Sequence, residues 1–220
     1  MTRIQSLLEL KTYVDEQAEA VILSLARTIE ARDSYTRGHC ERLAALAVQL
    51  GRKIGLSQNQ ISALRIAGIV HDVGKVVVPD SVLLKPGPLT PQEAEIIRRH
   101  PAEGERICSP LQSLRPVLPI IRHHHERMDG SGYPDGLRGD EIPLSARVLQ
   151  IVDIFDALTT DRPYRKAYDG ERALATLYSE AERGWMDIGL VRLFAPVAVA
   201  PKTANYDEIF ERSEKIRYLS

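Results

Sequence analysis

Six histidines are the residues of this chain best suited to chemistry: His39, His71, His100, His123, His124 and His125. A single imidazole on an apolar helix face is ordinarily a hydrogen-bonded core residue. Here that explanation would have to be repeated, because His39, His71 and His100 each begin or end an apolar stripe and so point inward. Asp153 lies on such a stripe too, and an inward carboxylate is costly unless it is paired or metal-bound. Imidazoles and carboxylates arriving from separate helices call for a common partner, and a divalent metal cluster is the simplest one. His71 is followed directly by Asp72, then by Gly74 and Lys75, giving the string HDVGK.

The elements that must position these groups read as helical almost throughout. From Ile4 to Arg32 an apolar stripe runs through Ile4, Leu7, Val14, Ala18, Val21, Leu25 and Ile29. Leu7, Val14 and Val21 repeat at the heptad spacing, which suits either a dimer seam or a helix packed on its own domain. Leu43, Leu46, Ala47, Leu50 and Ile54 continue the face that His39 begins, and Ser57 can cap the next helix, which leads through Ile61, Leu64 and Ala67 to His71. A loop rich in Pro and Gly follows. Thr90-Pro91-Gln92-Glu93 is then a capping box with proline at the first helical position, opening a helix through Ile96 and Ile97 to His100.

A further helix is expected from Pro116 to the histidine triplet. Gly130, Gly132, Gly136 and Gly139 make the next segment a loop. Helicity resumes over Ser145–Thr159, with Ala146, Leu149, Asp153 and Ala157 on one face, and again near Glu171–Glu182 and Ile188–Phe194. Val76-Val77-Val78 is β-like but too short to build a sheet. The fold expected is all-α.

Composition narrows the function classes. With 44% hydrophobic and 27% charged residues over 220 positions, the chain reads as an ordinary folded domain. A net charge of −1 gives no support for bulk binding to nucleic acid polymers or to an anionic membrane. No apolar run reaches the length of a membrane span, and the charge-interrupted N-terminus lacks a signal-peptide core, so a cytoplasmic protein is expected. Cys40 and Cys108 form no metal or redox spacing and are expected as reduced, buried thiols.

Four blocks then carry a resemblance: RDSYTRGHCERL, HDVGKVVVPDSVLLKPGPLT, HHERMDGSGYPDGLRGDEIPL and VDIFDALTTDRPYRKA. With His39 upstream and Asp153 downstream of HDVGK, the chain is similar to the HD phosphohydrolases. The full blocks, with Gly132-Tyr133-Pro134 among them, resemble the HD-GYP family. That resemblance implies an HD core of about five helices with HD-GYP-specific additions. It divides the chain into an N-terminal amphipathic helix (1–25) that could dimerise or link, a catalytic domain (26–200) and a tail (201–220).

It further implies two divalent ions, iron or manganese first, with zinc or nickel as alternatives. His39, His71, Asp72 and Asp153 would hold one ion. Asp72 would bridge to a second held by His100, His124 and His125. The roles suit the groups, since a carboxylate can bridge two cations whereas a neutral imidazole offers one lone pair. Lys75, just past the bridge, would neutralise phosphoryl oxygens as charge develops. Tyr133, Arg162 and Arg165 occupy the family's nucleotide-holding positions, and Tyr35 stands where some members place a third-metal glutamate.

The activity implied is hydrolysis of cyclic di-GMP to pGpG or GMP by metal-activated hydroxide. Partners would be the cyclic dinucleotide, a second copy through the N-terminal helix and an upstream sensor. The alternatives are an HD phosphohydrolase acting on another cyclic dinucleotide or nucleotide, and a non-catalytic cyclic di-GMP-binding module. The family's Phe-Asp-Pro-like segment is replaced by GWMDIGLV, in which Asp187 could retain the acid.

Overall fold

The apolar stripes become helices, some of them opened by a cap in the sequence and others not. In the computed structural model, which describes residues 3–32, 38–161 and 165–199, ten α-helices are formed and no strand is present among the described residues. They are α1 (Arg3–Arg32), α2 (His39–Lys53), α3 (Gln58–Val70), α4 (Asp80–Leu83), α5 (Pro91–Arg98), α6 (His100–Cys108), α7 (Leu118–His123), α8 (Leu144–Thr159), α9 (Gly170–Glu182) and α10 (Ile188–Ala198). Ser57 and Thr90 both form full capping boxes, with Gln60 and Glu93 respectively. Asp169 caps α9, and Asp187 caps α10 while pairing with Arg147 at 3.0 Å.

The core is a bundle of α2, α3 and α8, closed on one side by α9 and α10, where Phe155 meets Phe194 edge-on at 5.1 Å. Gly68 lets α3 lie directly on α2: a Cβ there would stand 2.7 Å from Ala44 Cα. The HDVGK segment is a 3-10 turn (Val73–Val77) packed on α6, and Gly74 is the point of closest approach. A Cβ at Gly74 would fall 2.0 Å from the His100 carbonyl oxygen, so only glycine fits there. The β-like valines are thus absorbed into a turn, with Val76 and Val77 exposed.

α1 runs unbroken through the boundary expected at residue 25. Its C-terminal turns bury Ala26 and Ile29 against the bundle, whereas Tyr13, Val14 and Val21 are exposed. Cys40 and Cys108 are free and buried, and burial pushes the Cys108 thiol up to about 11. The C-terminal tail lies outside the described residues. None of the helices described is long and apolar enough to cross a membrane.

Candidate metal centre

Three of the histidines are aimed by one device. A helix leaves the carbonyls of its last turn without N–H partners, and each of these imidazoles takes such a carbonyl three residues back. His71 Nδ1 donates to Gly68 O at 3.2 Å, His100 Nδ1 to Ile97 O at 2.8 Å and His124 Nδ1 to Ile121 O at 2.6 Å. The bond fixes the tautomer with the proton on Nδ1 and leaves the Nε2 lone pair free to bind. At His100 the sequence cause is visible. Pro101 has no N–H to return to Ile97, so the expected helix ends at Arg98 and a new one starts at His100. His100 therefore opens α6 rather than simply closing α5.

His39 is aimed differently. It begins α2, and its Nδ1 lies 2.7 Å from Asp156 Oδ2. Asp156 is in turn gripped by Arg42, Nε to Oδ1 at 2.7 Å and Nη2 to Oδ2 at 2.9 Å. Sequence reading missed Asp156 and Arg42. The available signal was the spacing of Asp156 three residues after Asp153, which puts both carboxylates on neighbouring positions of one helix face.

The freed ring nitrogens converge. Donor atoms of His39, His71 and Asp153 lie within 4.8 Å of one another, as do those of His100, His124 and His125, and a third grouping joins His71, Asp72 and His124. Asp72 stands between the sets: its Oδ1 is 3.2 Å from His100 Nε2 and its Oδ2 is 3.4 Å from His71 Nε2. Asp153 Oδ1 faces His39 Nε2 at 3.4 Å. Lys75 Nζ bonds the same Asp72 Oδ2 at 2.6 Å.

This donor set fits divalent metal ions. His71 Nε2 is fully buried without a hydrogen-bond partner, a costly state that a metal bond relieves. Burial and the neighbouring imidazoles hold His124 and His125 well below the usual imidazole pKa, so their lone pairs are available. Burial alone would raise Asp72, but Lys75 and His71 beside it hold its carboxyl well below the usual range. Burial likewise disfavours the charged form of His39, yet the bond to Asp156 and the charge of Asp153 leave it raised.

The glycine-rich loop is an ordered platform beside the second set. The buried Glu126 carboxylate accepts the backbone N–H groups of Asp135, Gly136 and Leu137 at 2.7, 3.1 and 3.1 Å. Gly132 lies so close to the 126–127 backbone that a Cβ would stand 2.3 Å from Arg127 N. Tyr133, joined to Pro134 by a cis peptide bond, stacks on His125 at 4.9 Å, with Arg98 5.6 Å from its ring centroid. Glu126 had no sequence signal beyond the loop's need for an acceptor of its N–H groups.

His123 points away to Asp135 at 3.0 Å, where Arg122 also binds. Arg165 is engaged with the Ala157 and Leu158 carbonyls at the end of α8, and it lies over Tyr168 at 4.4 Å. That occupation differs from the nucleotide contact expected of it. Arg162 and Tyr35 lie outside the described residues.

A family model described as HD domain matches residues 24–190. The cyclic di-GMP phosphodiesterase response regulator RpfG of Xanthomonas campestris is 43% identical over 197 residues, covering 89% of this chain and 50% of the relative. The 3'3'-cGAMP-specific phosphodiesterase 3 of Vibrio cholerae is 37% identical over 163 residues, covering 74% and 35%. A crystal structure of a cyclic GMP-AMP-specific phosphodiesterase from V. cholerae matches in fold, with a TM-score of 0.64 at 18% identity over 89% of this chain and 52% of that one. The chain belongs to the HD domain family, in its HD-GYP subfamily. It spans half or less of the length of these two sequence relatives.

Proposed function

We propose that this chain hydrolyses a phosphodiester bond of cyclic di-GMP, yielding pGpG, GMP or both. The observation that carries the reading is the Asp72 carboxylate, with one oxygen turned to each half of the imidazole cluster. His39, His71, Asp72 and Asp153 would hold one divalent ion, and Asp72, His100, His124 and His125 the other, with iron or manganese the first candidates. Ions bound in this way would supply Lewis acidity to a phosphoryl oxygen and lower the pKa of an attacking water.

The chain's own groups do the rest. Asp72 stays ionised beside Lys75, so it can serve both ion positions at once. The Lys75 ammonium sets a fixed positive charge at the edge of the cluster, where a diester's non-bridging oxygens gain charge in the transition state. Tyr133, stacked on His125, offers aromatic surface beside the cluster for a nucleobase. Arg162 is retained as a phosphate contact on the resemblance of its block. Arg165 would have to leave the α8 carbonyls to join it.

A second reading, a related cyclic dinucleotide as substrate, is favoured by the relative specific for 3'3'-cGAMP. Chromatography of products from cyclic di-GMP, 3'3'-cGAMP and cyclic di-AMP, with Mn²⁺ or Fe²⁺ present, tests both. Cyclic di-GMP should be cleaved fastest. Faster cleavage of another dinucleotide replaces the substrate, and binding without product replaces the enzyme with a binding module. The exposed Val14 and Val21 on α1 support a homodimer through that helix, which sedimentation of the full chain tests.

A further inference from the structure

Of the histidine ligands, His39 alone owes its place to the start of a long helix that its own sequence leaves uncapped. α2 begins after Gly38, which has φ +71° and contributes no side-chain cap. The first N–H groups of a helix have no intrahelical acceptor, and an unsatisfied first turn frays. Here the acceptor comes from another helix. Glu30, near the end of α1, receives the His39 N–H at 2.8 Å and the Cys40 N–H at 3.3 Å, both on Oε1. Its negative charge also complements the positive end of α2.

A second tie runs from the same turn of α1. Arg32 pairs with Asp80 and donates to the Val78 carbonyl at 3.3 Å, just beyond the HDVGK segment that carries His71, Asp72 and Lys75. Between these ties lies a crevice lined by Ala26, Ile29 and Glu30 of α1 and by His39, Asp72 and Lys75 of the centre; at about 20 Å³ it has room for about one water. The end of α1 is therefore a wall of the metal centre.

We propose that Glu30 is a positioning residue of the metal centre. By capping α2 from α1 it holds the His39 backbone, while Asp156 holds the His39 ring, so the first ligand set is complete only when α1 is seated. The proposal rests on the two-ion reading of the site and is independent of which dinucleotide is cleaved. It makes ion uptake at the His39 set responsive to the seating of α1, and leaves the His100, His124 and His125 set unaffected.

The test is Mn²⁺ binding to the chelated 220-residue chain by equilibrium dialysis, alongside thermal melting. Glu30→Ala should keep one ion at wild-type affinity and weaken the other by about 10–100-fold, the range for losing support behind a ligand. Glu30→Gln, which keeps an acceptor oxygen, should recover most of that loss. Asp169→Ala, which removes the cap of a helix that carries no ligand, should lower the melting temperature and leave both affinities unchanged. If Glu30→Ala does not fold, Glu30→Asp, with its acceptor drawn back by one methylene, should show an intermediate weakening of one ion. Two wild-type affinities in Glu30→Ala, or in Glu30→Asp should the alanine variant not fold, overturn the proposal alone, whatever happens to the melting temperature. A wild-type chain that takes up no Mn²⁺ overturns the two-ion reading and the proposal with it.

Discussion

The two halves of the cluster are built from different materials. Around His39, His71 and Asp153 the support is mixed: Asp156 and Arg42 stand behind His39, with Asp153 facing it, while the Gly68 carbonyl aims His71. Around His100, His124 and His125 the donors are all imidazoles, and backbone carbonyls support His100 and His124. The first half is rich in negative charge, which leaves His39 raised despite its burial; in the second, burial first and the neighbouring imidazoles next depress His124 and His125. Fixed charge is thus concentrated on one side of Asp72, whereas helix carbonyls aim His71 on that side and His100 and His124 on the other. Only Asp72 belongs to both.

The largest expected effect follows from that sharing. Asp72→Ala should lose both ions and all measurable turnover, whereas Asp153→Ala should lose one ion and keep the second. Metal analysis of the purified variants separates the cases. Retention of two ions by Asp72→Ala would remove the bridge from the centre's description.

Lys75 tests the charged side more narrowly. Its ammonium pairs with Asp72 Oδ2, the oxygen facing His71. Lys75→Ala should keep both ions and lose about 10²–10³ in kcat, the scale of one preorganised charge contact in the transition state. Wild-type turnover with both ions bound would show that the ammonium serves only to hold Asp72.

Acidity should set the halves against each other in the metal-free protein. His124 and His125 stay neutral in the fold, while the unfolded chain takes up protons near the ordinary imidazole value of 6.5. Their contribution is present above that value and is lost as pH falls below it. His39, with its pKa raised, has the opposite sign: its contribution is fully present below 6.5 and fades as pH rises through its folded value. With two depressed imidazoles against one raised, the melting temperature of chelated protein should fall between about pH 7.5 and 5.5. A rise over that interval would mean that the charged half dominates.

Local and long-range contacts differ in what could be read from the sequence. The helices leading to His71 and towards His100 were legible because apolar periodicity and the Ser57 and Thr90 capping boxes are local signals. The expected ligand set came from the family resemblance, with His100 lying outside the four blocks. What stayed hidden is contact made across the fold: Glu30 reaching α2, Asp156 reaching His39 from α8, and Glu126 gathering three loop N–H groups. The separate helix α6 escaped because its start depends on a missing N–H at Pro101, although proline marks it. Arg165 shows another contact hidden from the sequence. Its block resembles a nucleotide contact, whereas in the structure its guanidinium donates to the Ala157 and Leu158 carbonyls at the end of α8, the latter also accepting the Tyr168 N–H at 2.9 Å.

The smallest effect compares the supports directly. Asp156→Asn removes the anion behind His39 and leaves an amide oxygen that can still accept from Nδ1, so the ring keeps its direction while losing basicity. The affinity of one ion for the protein should fall by about 10-fold, at the low end of what support behind a ligand contributes. The matching change on the other side cannot delete a carbonyl, but it can give that carbonyl a competitor. Pro101→Ala restores an N–H four residues after Ile97, where it can bond the oxygen that now holds His100 Nδ1. A carbonyl has two lone pairs, so both donors can share it and the imidazole is loosened rather than released. The expected loss is about 2–3-fold in the affinity of the second ion, below the Asp156 effect because no charge is removed. Mn²⁺ dialysis on both variants makes the comparison. An effect of Pro101→Ala equal to that of Asp156→Asn would show that ring direction, rather than the charge behind the ring, decides how tightly this centre holds its ions.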